Sequence, residues 1–285
     1  PLPFLDVSIQ SLARRGVIEV SATDSAALTG SSRGAMLRRY GSRVRTDGLA
    51  HDSALRVMMG NLARCAARHD RSVDPLLSIW DSHHLRVSSG VIKSKEGANM
   101  VEDRLGWRVH APTEREVVAS VESGLHPELS MDNLPMTCLL PLHFPIDRRD
   151  PRVSGPLWVG SLGSQEAMCS MTEQKALTMC APDYEEGDIA GWLEKDFDIE
   201  KRRILRSVRN IETEGSVIDT AHHILVDDLA SWLEIGSPPS PRLMVEELRE
   251  MGYRASLAHY AKPSLKTDAS WDDIVEVAMG HQPPM

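Results

Sequence analysis

Two short apolar runs, joined across one long amphipathic segment, constrain the possible folds more than any other feature. Val17-Ile18-Glu19-Val20 reads as a buried strand entering the polar corner Ser21-Ala22-Thr23-Asp24, and Leu76 to Trp80 reads as a second strand. Between them Leu55, Met58, Met59, Leu62 and Ala66 recur every three or four residues, the stripe of a helix, with Asp47 expected as its cap and His69-Asp70 as its end. After the turn Asp81-Ser82-His83, Leu85, Val87 and Val91 keep period two, so the second strand is expected to fold back as an antiparallel hairpin. Upstream, Leu5, Ile9, Leu12 and Ala13 keep helical spacing, with Gly16 as the residue that closes the helix. The expected fold class is α/β, the C-terminal half of a doubly wound, Rossmann-like sheet. The chain opens on Pro1, inside an apolar segment, so it is expected to be a piece of a longer protein.

With 285 residues, a second domain is expected beyond the first core. Gly97, Gly106 and Pro112 mark a junction, giving domains over 1–110 and 111–285, the second of α+β type. It is expected to hold helices over 185–206 and 217–233, a helix opened by Ser240-Pro241 and stopped by Gly252, a strand over 253–260, and a terminal helix over 271–279. On the 217–233 helix Asp219, His223 and Asp227 would share one face as metal ligands do, but that face lies opposite much of the apolar stripe, where a solvated polar row is expected instead. The pairs His51-Asp52, His69-Asp70, His83-His84 and His222-His223 carry no ligand spacing of their own.

Charge divides unevenly. Residues 1–110 hold 16 Lys and Arg against 11 Asp and Glu, whereas 111–285 hold 16 against 30. No acid occurs between Asp24 and Asp47, yet Arg33, Arg38, Arg39, Arg43 and Arg45 all fall there. Such a strip is either a solvated surface run or a phosphate-contacting one. The four cysteines have no framework spacing, which suits a reducing cytoplasm, and no apolar run is long enough to span a membrane. Neither a Gly-x-Ser-x-Gly elbow, a P-loop nor a Gly-x-Gly-x-x-Gly turn occurs.

Several segments in order resemble the tRNA guanine-N2 dimethyltransferases. They are Pro1 to Asp6, Val20 to Gly30 with Thr23-Asp24, Leu37-Arg38-Arg39-Tyr40-Gly41, His51 with Leu55-Arg56, Gly155-Pro156-Leu157-Trp158-Val159-Gly160, Gly252-Tyr253-Arg254-Ala255-Ser256 with His259, and Lys266-Thr267-Asp268. The resemblance implies a class I methyltransferase sheet with S-adenosyl-L-methionine as cofactor, acting on the guanosine at position 26 of tRNA. It also implies a cytoplasmic protein without membrane or obligate protein partner.

Pro1 would close the family's catalytic motif. The resemblance therefore puts the catalytic aspartate and most of the cofactor site upstream, and leaves the 285-residue chain by itself inactive. It makes Pro3, Phe4, Thr23 and Asp24 the expected active-site wall, and Arg33, Arg38, Arg39, Arg43, Arg45, Arg254, His259 and Lys266 the expected tRNA contacts. For Phe4 a place in the helix core is favoured over the wall, and Asp24 could equally cap a helix. Some relatives carry cysteine pairs before Gly-Pro-Leu-Trp; Cys138, Pro141, His143 and Pro145 stand there instead, so no metal is expected. A non-catalytic tRNA-binding remnant and a methyltransferase of another RNA or of protein are the alternatives.

Overall fold

The computed structural model describes residues 2–81, 84–179, 190–260 and 262–280. Pro1, the expected turn residues Ser82 and His83, Cys180 and the start of the helix expected over 185–206 lie outside the described residues. In chain order the first part runs α1 (Leu2–Ser11), β1 (Arg15–Ala22), α2 (Ser25–Leu28), α3 (Arg33–Tyr40), α4 (Ala50–Ala67), β2 (Arg71–Asp81), β3 (His84–Lys93) and α5 (Lys95–Asn99). Then come β4 (Leu105–His110), α6 (Glu114–Glu122), β5 (Thr137–Pro141), β6 (Val153–Trp158), α7 (Gln165–Cys169), α8 (Glu173–Met179) and α9 (Glu194–Gly215). The chain continues through β7 (His222–Leu225), α10 (Val226–Trp232), α11 (Pro241–Glu250), β8 (Ala255–Leu257), β9 (Ser264–Thr267) and α12 (Trp271–Gly280).

The hairpin strand β3 lies between β1 and β2 and runs antiparallel to both, so β1 and β2 point the same way and α4 lies on the crossover between them. The apolar stripe of α4 explains its position: Leu55, Met58, Met59 and Leu62 are fully buried against Val20, Val73, Trp80, Val87 and Val91. Alternation along β2 turns Leu77 and Ile79 to the opposite face, where they meet Met168, Ile211 and Ile218 of the α7–α9 region. Helices therefore cover both faces of this sheet, the doubly wound arrangement expected from the sequence.

Two boundaries differ from expectation. Gly16 lies inside β1 rather than closing α1, and Asp47 does not cap α4, which starts after Leu49. The Asp47 carboxylate instead meets Arg108 at 3.0 Å and Arg45 at 3.2 Å. The helix expected over 217–233 is corrected as well. His222–Leu225 is strand β7, with His223 opposite Lys266 of β9, and only Val226–Trp232 is helical. Asp219, His223 and Asp227 therefore share no helix face. The strand expected over 253–260 shortens to β8. By contrast, α11 begins at Pro241 and ends just before Gly252, whose φ is 98°.

The second sheet has the order β5-β4-β6 and the third β7-β9-β8. Trp107, Val109 and Val153 of β4 and β6 share a core with Ile224, Leu248, Leu265, Trp271 and Ile274. Leu105, Leu157 and Trp158 of the same two strands belong to the core under α4. The expected boundary at 110/111 coincides with the end of β4, whose partners β5 and β6 both lie beyond it. No helix among the described residues is long and apolar enough to cross a membrane. The described cysteines Cys65, Cys138 and Cys169 are free thiols.

Candidate active site

Strand β1 delivers Thr23 and Asp24 to its carboxyl end, the edge where open α/β sheets place their ligands. There Leu2, Pro3, Thr23, Asp24, Arg39 and Tyr40 line an open concavity of about 830 Å³. Asp24 precedes α2, but its side chain makes no capping hydrogen bond; the carboxylate pairs with Arg39 instead. Burial, reinforced by the Asp24 charge, pushes the Tyr40 hydroxyl up to about 12, so Tyr40 stays a neutral donor beside the carboxylate. Phe4 is not in the core. The residue is 74% exposed, next to the Pro3 that lines the concavity.

Gly30 closes the Val20 to Gly30 segment for a steric reason. Its φ is +83°, and a Cβ there would sit 2.1 Å from the Val44 carbonyl oxygen. This close approach lets the backbone at Val44, between Arg43 and Arg45, pass directly against Gly30. Arg33, Arg38 and Arg39 are exposed on α3. Arg43 and Arg45 follow in an extended run docked on β6, with Arg43 N–H donating to Gly155 O and Gly155 N–H to Arg43 O. A small groove of about 60 Å³ collects Arg33, Arg43 and Arg45 with Arg149, and Asp150 lies at its edge. Arg149 was missed in the sequence because it sits more than a hundred residues away, in a stretch marked only by prolines.

The expected C-terminal contacts are placed differently. Arg254 is half-exposed and paired with Asp268 at 2.7 Å and Asp219 at 2.9 Å. Lys266 and His259 are buried, which corrects the expectation that they reach RNA. Lys266 lies on β9, with Nζ 2.7 Å from Glu214 Oε1. His259 Nδ1 is 2.7 Å from Glu214 Oε2, and its Nε2 accepts the Trp80 N–H. Burial alone would raise the Glu214 carboxyl, but the Lys266 charge and His259 overcome it and hold the group well below the carboxylate range.

This buried pair continues into a longer polar chain. The His259 ring stacks on Tyr260 at 4.2 Å, the Tyr260 hydroxyl donates to Asp52 at 3.2 Å, and Asp52 pairs with Arg56 at 2.7 Å. Arg56 in turn donates to Trp158 O at 3.2 Å and Gly160 O at 2.9 Å. Asp52 is also held well below the usual range: burial opposes this, but Arg56 and His223 outweigh it. Segments that are far apart in sequence and were noted separately, around Arg56, Trp158, His259 and Lys266, thus meet in one buried network.

The profile of the N2,N2-dimethylguanosine tRNA methyltransferase family matches residues 1–279. The chain belongs to that family. Among its curated relatives, the tRNA (guanine(26)-N(2))-dimethyltransferase of Aeropyrum pernix is 28% identical over 98% of this chain and 61% of its own length. That of Methanosphaerula palustris is 30% identical over 96% of this chain and 64% of its own length. The chain therefore spans somewhat over three-fifths of these dimethyltransferases. Trm1 from Pyrococcus horikoshii, solved with S-adenosyl-L-methionine, shares the fold with a TM-score of 0.72 at 23% identity, covering 97% of this chain and 62% of its own.

Proposed function

We propose that the protein carrying this chain is a tRNA (guanine(26)-N2)-dimethyltransferase that moves methyl groups from S-adenosyl-L-methionine to the exocyclic N2 of a tRNA guanosine. The observation that carries the reading is the concavity at the end of β1, with its carboxylate and the arginine strip beside it. Its volume of about 830 Å³ falls in the roughly 300–1,000 Å³ range of small-molecule sites. Asp24 suits a cationic ligand or an amine donor. The relatives named for this activity support the same reading.

Bound S-adenosyl-L-methionine supplies an electrophilic methyl group. The guanine amine is a poor nucleophile, because its lone pair delocalises into the ring, so it must be held in line with that methyl. The base must also leave its stack. Leu2 and Pro3, which line the concavity, offer an apolar wall to receive it, with the exposed Phe4 next in the chain. Thr23 and Asp24 supply hydrogen-bond partners at the same edge, and Arg39 fixes the Asp24 carboxylate. Arg33, Arg38, Arg43, Arg45 and Arg149 hold the tRNA backbone, with Arg254 as a separate contact on the C-terminal side. We assign the methyl-transfer part to 1–110 and the tRNA-binding part to 111–285, in a cytoplasmic protein. The test of the whole reading is nucleoside analysis of tRNA incubated with the full-length protein and cofactor: appearance of N2-methylated guanosine at position 26 supports it, and unmodified tRNA rejects it.

Two expected results separate the roles. Asp24→Asn in the full-length protein lowers methyl transfer by about 100-fold. It changes stability by less than about 1 kcal/mol, because Arg39 is largely exposed. A collapsed melting transition with normal specific activity would make Asp24 structural only. Arg33→Ala with Arg149→Ala weakens tRNA binding and lowers the log-log salt slope by about one unit per contact. An unchanged slope returns these arginines to the solvated surface.

A further inference from the structure

Outside both the concavity and the buried network, three side chains from distant parts of the sequence converge on one point. His126 and Glu128 lie in the loop after α6, and His222 opens β7. His126 Nδ1 is 2.9 Å from Glu128 Oε1, and His222 Nε2 is 3.1 Å from the same oxygen. The His126 and His222 side chains are only 4% and 5% exposed, and Glu128 is 16% exposed. The His222 contact is not directed as a hydrogen bond, so its Nε2 is buried without a hydrogen-bond partner. Trp271 of α12 closes the far side, its ring centroid 6.2 Å from that of His222.

We propose that His126, Glu128 and His222 form a binding site for a divalent transition metal, zinc being the ion whose preferences fit best. The three candidate ligand atoms lie within 4.8 Å of one another. Two imidazoles and a carboxylate are a donor set that zinc takes at about 2.0–2.2 Å. Tetrahedral ligation spaces ligand atoms by roughly 3.4 Å, so the carboxylate contacts need to open by only a few tenths of an ångström and the imidazoles to draw in around the ion. The ion gives the orphaned His222 nitrogen a partner. Glu128, the most accessible of the three, marks the side on which water completes the coordination.

The role is structural. The ion clips the loop after α6 onto β7, closing a stretch of nearly a hundred residues, with Leu129, Met136 and Trp271 packed in the core beside it. The sequence hides such a site, since His126-x-Glu128 is unremarkable alone and His222 reads as part of a helix. The expectation of no metal rested on missing cysteine pairs elsewhere in the chain.

The test is metal content and thermal melting of tag-free, full-length protein loaded with Zn2+ and dialysed. The expected result is close to one zinc per chain, a melting temperature that falls on chelation and recovers with Zn2+, and loss of the bound zinc in His222→Gln. Glu128→Gln, the milder change, should weaken zinc binding at least ~10-fold while the protein remains folded. Wild-type protein that takes up no stoichiometric zinc, or His222→Gln and Glu128→Gln proteins that retain it as the wild type does, would overturn the proposal.

Discussion

Replacing Lys266 with alanine should cost the protein about 3–5 kcal/mol of stability, because it strands the Glu214 carboxylate in the interior. Glu214 is fully buried, Lys266 is 3% exposed, and their charged atoms are 2.7 Å apart. His259 remains as a partner at 2.7 Å, so the carboxylate keeps a hydrogen bond and loses the lysine charge that compensates it. Denaturant unfolding measures the loss. Lys266→Met combined with Glu214→Gln should recover most of it, since removing both charges is far less costly than removing one. The same geometry fixes the pH response. Glu214 sits well below its ordinary 4.5 when folded, so the unfolded chain takes up the proton first as pH drops. The contribution is therefore complete above about pH 5 and drains away as pH falls through the depressed value. A Lys266→Ala protein as stable as the wild type, with a raised Michaelis constant for tRNA, would restore Lys266 to the RNA surface.

Arg56→Ala should be comparably severe, again about 3–5 kcal/mol, by a different route. Its guanidinium satisfies Asp52 from within α4 and, across the core, the carbonyls of Trp158 and Gly160. Alanine leaves the buried Asp52 carboxylate with the Tyr260 hydroxyl but without its charge partner, and takes the guanidinium donor from two carbonyls. Arg56→Lys should not rescue the fold, because one ammonium nitrogen cannot stand both where Nε meets Asp52 and where the guanidinium end meets the two carbonyls. Hydrogen exchange should show early opening of the segment after β6 in the alanine variant. A melting curve within about 0.5 kcal/mol of the wild type would show that water replaces the fork at little cost.

Periodicity revealed the parts of this structure whose reasons are local. The stripe from Leu55 to Ala66 must be a helix because its spacing fits no other period, and Leu85, Val87 and Val91 alternate as a half-buried strand must. Thr23 and Asp24 reach the concavity because they follow a strand. Four residues such as His222-His223-Ile224-Leu225 fit either period, and what makes them a strand is β9, some forty residues later. Lys266 and His259 were expected at the RNA surface because the family resemblance put them there, and nothing local in the sequence argued against it. Their burial depends on Glu214 arriving from the end of α9, a pairing no local pattern displays. Arg149 joins the arginine groove for the same kind of reason, through the docking of 43–45 on β6.

Because β4 and β6 each face both large cores, the two halves of the chain cannot melt separately. Loss of the Leu105, Leu157 and Trp158 packing under α4 also removes the strands that carry Trp107, Val109 and Val153. Calorimetry should give one cooperative transition rather than two. A polypeptide cut at 110/111 would leave β4 with both edges unpaired and an indole exposed, a template for self-association. Whatever work is divided between the two ends of this chain, its folding is shared through a single pair of strands.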